Sequence, residues 1–260
     1  MLNQLTARKI VYCLLVLCIA AGLKHGYSQS TSEDLTWILG PTASLVEVLT
    51  GEQFMKEKNV GYVSISQRIA IIPGCAGINF MITAFCMSAL TLVYSTNRKQ
   101  SPALHILTGF AAAYGMTVCT NSLRIILSIY LYRADIYTPL ITPEKIHRLA
   151  GIVIYFVCLC FLYFSVQKFS SRRNQIDRSR QKNKYGYYKS MLISCLPPLF
   201  WYLLIVLALP ALNQASVKNQ PLFREHAMSV LLVSFLLFVM MFLLVICYKS
   251  VRPKQEPGQD

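Results

Sequence analysis

The chain has 260 residues, 55% of them hydrophobic and only 14% charged, with a net charge of +14. So apolar a composition excludes a soluble domain that faces water on all sides, and lipid must be much of its solvent. No strand-like alternation competes with the long apolar stretches, so the fold expected is all-α: a polytopic transmembrane helix bundle of about six spans.

The first span, residues 10–23, follows Arg8 and Lys9 and is short enough to be a signal anchor or a cleavable signal peptide. Residues 24–74 form one long connection, too short for a domain. Its apolar piece, residues 38–49, suits an interfacial or re-entrant helix before the second span, with Thr42 or Ser44 as its cap. A polar stretch with Gly51 and Gly61 follows. The remaining spans are read at 76–94, 103–132, 146–166, 190–209 and 227–248. This divides the chain into a membrane core (1–167), a basic loop (168–189) and a C-terminal helix pair with its tail (190–260).

The basic residues sit in loops rather than on a face that nucleic acid could use. Residues 168–189 hold Lys168, Arg172, Arg173, Arg178, Arg180, Lys182, Lys184 and Lys189. Arg8, Lys9, Arg98, Lys99, Lys249, Arg252 and Lys254 fall on the same side, joined by only Asp177, Glu256 and Asp260 of the 11 acids. The positive-inside rule then places both termini in the cytoplasm of a multi-pass protein of the cell's cytoplasmic (inner) membrane. Anionic lipid is the partner expected for the loop.

Seven of the nine cysteines (Cys13, Cys18, Cys86, Cys158, Cys160, Cys195 and Cys247) lie inside expected helices and read as packing residues. Cys75 and Cys119 lie near the outer interface, where a disulfide would need their Cα atoms within about 7 Å. With no Gly-rich phosphate loop, no Cys-x-x-Cys pair and no cluster of His and carboxylates, no metal or other cofactor is expected.

Polar residues at membrane depth are costly, so their positions carry the chemistry. Pro73-Gly74-Cys75 opens the second span and would place the Cys75 thiol in its first turn, where the helix dipole favours a thiolate. Cys75, Asn79 and Thr83 would then share a face. In the third span Thr117, Asn121, Arg124 and Ser128 make one polar stripe, and Arg124 lies about 32 Å along the helix from Ala103, near the outer interface. Thr142-Pro143 reads as a helix start with Thr142 as cap, which puts His147 in the second turn, with Gly151 and Tyr155 following on the same face. Taken singly, a cysteine at a helix start is more often structural than catalytic, and an interfacial His or Arg more often a snorkelling or capping residue. Three helices that bring a thiol, a guanidinium and an imidazole to one membrane face suffice for Cys-dependent acyl transfer. His226 and Arg148 compete for the same roles, whereas His105 falls at the cytoplasmic end of its span.

The order Gly74-Cys75-Ala76-Gly77, Asn121-x-x-Arg124, then His147 with Gly151 resembles the exosortase and archaeosortase family of membrane cysteine transpeptidases and proteases. The stretch Pro41-Thr42-Ala43-Ser44-Leu45-Val46-Glu47 also looks like that family's segment ahead of its cysteine. The resemblance covers residues 38–166. It departs in span count, six against the eight frequent in that family, and in residues 190–260, which carry no family motif. It implies Cys75 as nucleophile, His147 as general acid and base, Arg124 as oxyanion donor and Asn121 as a substrate-positioning residue. The implied substrates are membrane proteins with a C-terminal signal of motif, hydrophobic helix and basic cluster, processed on the extracytoplasmic side. The rival readings are a non-enzymatic transporter or assembly subunit and, more remotely, a lipid acyltransferase.

Overall fold

A computed structural model describes residues 2–66, 69–95, 101–134, 142–174, 196–212 and 220–251. The all-α, polytopic architecture expected from composition is what it shows. Among the described residues five helices are long and apolar enough to cross a membrane. Arg98 and Lys99, Cys195, the basic loop beyond Asn174 and the tail from Arg252 lie outside them, as does the start of the span expected at 190–209.

The N-terminal helix α1 (Leu2–Gln29) is longer than its apolar stretch suggested. It buries Val16 and Ala20 in the common core. After it comes α2 (Thr36–Thr50), closed by Gly51 in a left-handed conformation (φ 72°) whose N–H returns to the Glu47 carbonyl. Neither Thr42 nor Ser44 caps α2: it starts six residues before Thr42, whose hydroxyl instead bonds the Ile38 carbonyl at 2.8 Å. The residues ahead of Pro41 supply enough apolar surface to extend the helix backwards.

One feature within this helical architecture was not anticipated. Three short strands, β1 (Met55–Glu57), β2 (Gly61–Ser64) and β3 (Ile69–Ile71), form an antiparallel sheet in the order β1-β2-β3. Met55 pairs with Val63, and Tyr62 with Ile71. At Gly61 any Cβ would stand 2.3 Å from the Ile71 carbonyl oxygen, so the pairing demands glycine there. Lys56 pairs with Glu33 at 2.6 Å, tying the sheet to the α1–α2 connection.

A single 3-10 turn, Pro73–Cys75, then leads into α3 (Ile78–Ser95). This helix is the centre of the bundle: Met81, Ala84, Phe85, Cys86, Met87 and Ala89 are all buried. Beside it run α4 (Pro102–Arg133) and α5 (Pro143–Asn174). Close approach of α3 to α4 is set at Gly109, where a Cβ would meet the Ala89 backbone at 3.0 Å. There the Ser88 hydroxyl on α3, which donates to the Ala84 carbonyl at 2.6 Å, also lies 3.2 Å from the Gly109 carbonyl oxygen, the small-residue and hydroxyl contact that draws membrane helices together. Thr142 caps α5 as expected, accepting from the Lys145 N–H at 3.4 Å.

The α2 helix lies against the middle of α4: Trp37 stacks on Tyr114, and Ser122 donates to the Thr42 carbonyl at 3.3 Å. It is therefore packed on the bundle along its length. The short α6 (Leu196–Ala208) packs Tyr202 edge-on against Phe156 of α5. Its last turn widens into a π-helix at Leu204–Ala208, which ends two residues before Pro210, whose missing N–H and ring disturb the regular ladder. Finally α7 (Gln220–Val251) packs on α5, held at one end by Arg148 and Glu225 at 3.1 Å.

Candidate active site

The end of the bundle where α1 finishes and α5 begins gathers most of the polar side chains the core contains. Cys75 is delivered there by the sheet: β3 ends at Ile71, and the Cys75 N–H closes the turn on the Ile72 carbonyl at 2.7 Å. The α-helix starts only at Ile78, after Gly77 at φ 69°. Cys75 thus lies ahead of α3 rather than in its first turn, and the expected face of Cys75, Asn79 and Thr83 is broken at Gly77. Glycine is required at that break, because a side chain there would be strained and would press on Thr117, Tyr155 and Asn121.

The thiol is half-buried and free, and Cys119 is free too, so the disulfide left open by the sequence is not formed. Around Cys75 three helices converge. Asn121 on α4 donates its amide to the Cys75 carbonyl, and Tyr155 on α5 donates its hydroxyl to Asn121 Oδ1 at 3.1 Å. From α1, Tyr27 donates to the Pro73 carbonyl at 3.3 Å, and Lys24 reaches Asn79 Oδ1 at 2.7 Å.

One turn beyond Asn121, Arg124 is 9% exposed. Its guanidinium stacks over the Tyr155 ring, 5.2 Å from the centroid. Gly151 makes room for it, since a Cβ there would lie 3.3 Å from Arg124 Cδ. Among the described residues Arg124 Nε has no hydrogen-bond partner. A buried guanidinium with a donor unspent is poised for an anion or a polarised carbonyl.

A further turn along, Ser128 lies 2.7 Å from His147 Nδ1 and donates to the Arg124 carbonyl at 2.9 Å. The stripe Thr117, Asn121, Arg124 and Ser128 therefore faces the bundle interior, and the face His147, Gly151 and Tyr155 meets it from α5. Asn121 and Ser128 are about 10 Å apart along α4 by helical rise. The Cys75 backbone is held at one end of this track, the imidazole at the other, and the guanidinium lies between. Of the competitors, Arg148 is engaged by Glu225, and His226 follows Glu225 on α7 at the same end of the bundle. His105 is buried near the beginning of α4, about 28 Å from Arg124.

The contributions of α1 were not anticipated. Lys24 and Tyr27 are a cation and a phenol three residues apart near the end of an apolar helix, and that spacing was the available signal.

A family model described as transmembrane exosortase matches residues 5–164. The chain belongs to the transmembrane exosortase family. The match takes in α1, the sheet, Cys75, Arg124, His147 and Tyr155, and stops within α5, leaving α6 and α7 outside it. No curated protein and no solved structure matches this exosortase. Membership agrees with the resemblance read from the motifs, and with the chain being embedded in a membrane by several passes.

Proposed function

We propose that this exosortase is a cysteine transpeptidase or protease acting on membrane proteins that end in a short motif, a hydrophobic helix and a basic cluster. The observation that carries the reading is the buried Arg124 guanidinium, with Nε unpartnered, one turn from the Asn121 amide that anchors Cys75.

Cys75 Sγ attacks the scissile carbonyl carbon while its thiol proton is relayed through water along the track to His147. The carbonyl oxygen gains the negative charge, and Arg124 supplies a planar fork of N–H donors to hold it. Collapse of this intermediate re-forms the carbonyl, breaks the C–N bond and hands the imidazolium proton to the departing amine. A thioester on Cys75 remains, to be resolved by water or by an acceptor nucleophile. Asn121 holds the nucleophile's backbone, and the Tyr155 hydroxyl holds Asn121.

The charge of the loops supports a cytoplasmic location for both termini and an extracytoplasmic site, in the cytoplasmic membrane, with anionic lipid against the loop after α5. Nucleic acid has no part in this reading.

The test is Cys75→Ser, scored by membrane abundance and by processing of a reporter carrying such a C-terminal signal. Unchanged abundance with processing lost is the expected outcome. Normal processing would remove the thioester and favour a transport or assembly subunit.

A further inference from the structure

We propose that Ser128 is a positioning residue that fixes the tautomer of His147, keeping a proton on Nδ1 and leaving Nε2 as the ring's acceptor nitrogen. This rests on the reading of His147 as the proton shuttle. Ser128 Oγ lies 2.9 Å from the Arg124 carbonyl oxygen and 2.7 Å from His147 Nδ1.

A serine hydroxyl has one proton and two lone pairs. A carbonyl oxygen has no proton to give, so in the first contact the hydroxyl must donate. Its proton is then spent, and the second contact is a hydrogen bond only if His147 Nδ1 supplies the proton. A neutral imidazole protonated at Nδ1 carries its lone pair on Nε2. The ring presents a base at that atom and no other.

The hydroxyl's commitment comes from the helix rather than from the substrate. Bonding to the carbonyl four residues back is the usual habit of Ser and Thr inside an apolar helix. In this chain Thr83, Ser88, Thr91 and Thr117 do the same at 2.6 to 2.8 Å. What separates Ser128 from them is the imidazole opposite. When Nε2 takes up a proton, Nδ1 keeps its own, so the bond to Ser128 persists unchanged through the transfer and no group need reorganise. The same turn of α4 also sets Arg124, so the ring and the guanidinium share one backbone reference.

The experiment uses the full chain in lipid nanodiscs with 15N-labelled histidine, assigned by the signal lost in His147→Asn, at about pH 8 where an ordinary imidazole is neutral. The wild type should show His147 protonated at Nδ1, and Ser128→Ala should show a mixture of tautomers or the Nε2–H form. Processing of a reporter domain fused to a C-terminal motif, helix and Arg/Lys cluster supplies the second readout. Ser128→Ala should lower kcat about 10-fold with KM within about twofold, and Ser128→Thr should recover most of the loss. An Nε2–H ring in the wild type, or an unchanged kcat in Ser128→Ala, overturns the proposal. Cys75→Ala separates the two layers: if it still processes the reporter, the peptidase reading falls while the nitrogen signals still decide the tautomer.

Discussion

Arg124 is flanked so closely that its neighbours can be tested as well as the residue itself. Lysine at 124 would keep the charge but lose the planar fork that stacks on Tyr155 and leaves Nε free. Arg124→Lys should therefore lower processing by about 100-fold, the scale of one lost oxyanion donor. Gly151→Ala is the subtler probe. Its new methyl would lie 3.3 Å from Arg124 Cδ, so the side chain must shift by a few tenths of an ångström. An alanine is at least as good in a helix as a glycine, so the fold should hold while processing falls about 10-fold. Rates and thermal unfolding of the two variants, measured together, check this; unchanged rates in Gly151→Ala would show that the guanidinium tolerates displacement.

Between elements, α3 and α4 approach each other closely at Gly109. Gly109→Ala places a methyl 3.0 Å from the Ala89 backbone, which cannot move aside as a side chain would, and should cost about 1–3 kcal/mol. Gly115 lies on the same helix with nothing within 4 Å of a Cβ. Gly115→Ala should leave stability unchanged or slightly raised, and thermal unfolding in detergent compares the pair directly.

The helices and the polar stripes were legible because their cause is local: an apolar run fixes a span, and a 3.6-residue period fixes a face. Thus Asn121, Arg124 and Ser128 could be set on one side of α4, and His147, Gly151 and Tyr155 on one side of α5, before any tertiary contact was known. The sheet was not legible. Its strands are three or four residues long, too few for an alternation to register, and they exist because β2 has a partner on either edge. The displacement of Cys75 out of α3 was missed for a related reason. Pro73 signals a helix start equally well for a 3-10 turn, and only the contacts of Gly77 with α4 and α5 decide which forms. That Ser128 would meet His147 required knowing that α4 and α5 are neighbours.

On the scale of the whole molecule, the first span behaves as part of the bundle. Val16 is fully buried, Lys9 donates to the Tyr94 carbonyl at 2.8 Å, and Lys24 and Tyr27 reach Asn79 and Pro73 at the opposite end of the same pair of helices. Of the two readings open for this segment, a retained anchor fits these contacts, and the family match begins within it. Intact mass of the protein purified from membranes should therefore include α1. A mature N-terminus beyond Lys24 would refute this, because removing the helix would leave Asn79 and the Pro73 carbonyl without these donors.

The left-handed break at Gly77 has a consequence for how activity is acquired. Because it uncouples Cys75 from α3, the cysteine takes its position from side chains on α1, α4 and α5 rather than from the helix that follows it. During synthesis those anchors arrive late. A nascent chain inserted only as far as Ser95 has its sulfur and Tyr27, but none of Asn121, Arg124, Ser128, His147 or Tyr155. On the proposed reading of these residues, an incompletely inserted protein is inert, and competence appears only once the fifth helix has joined its neighbours.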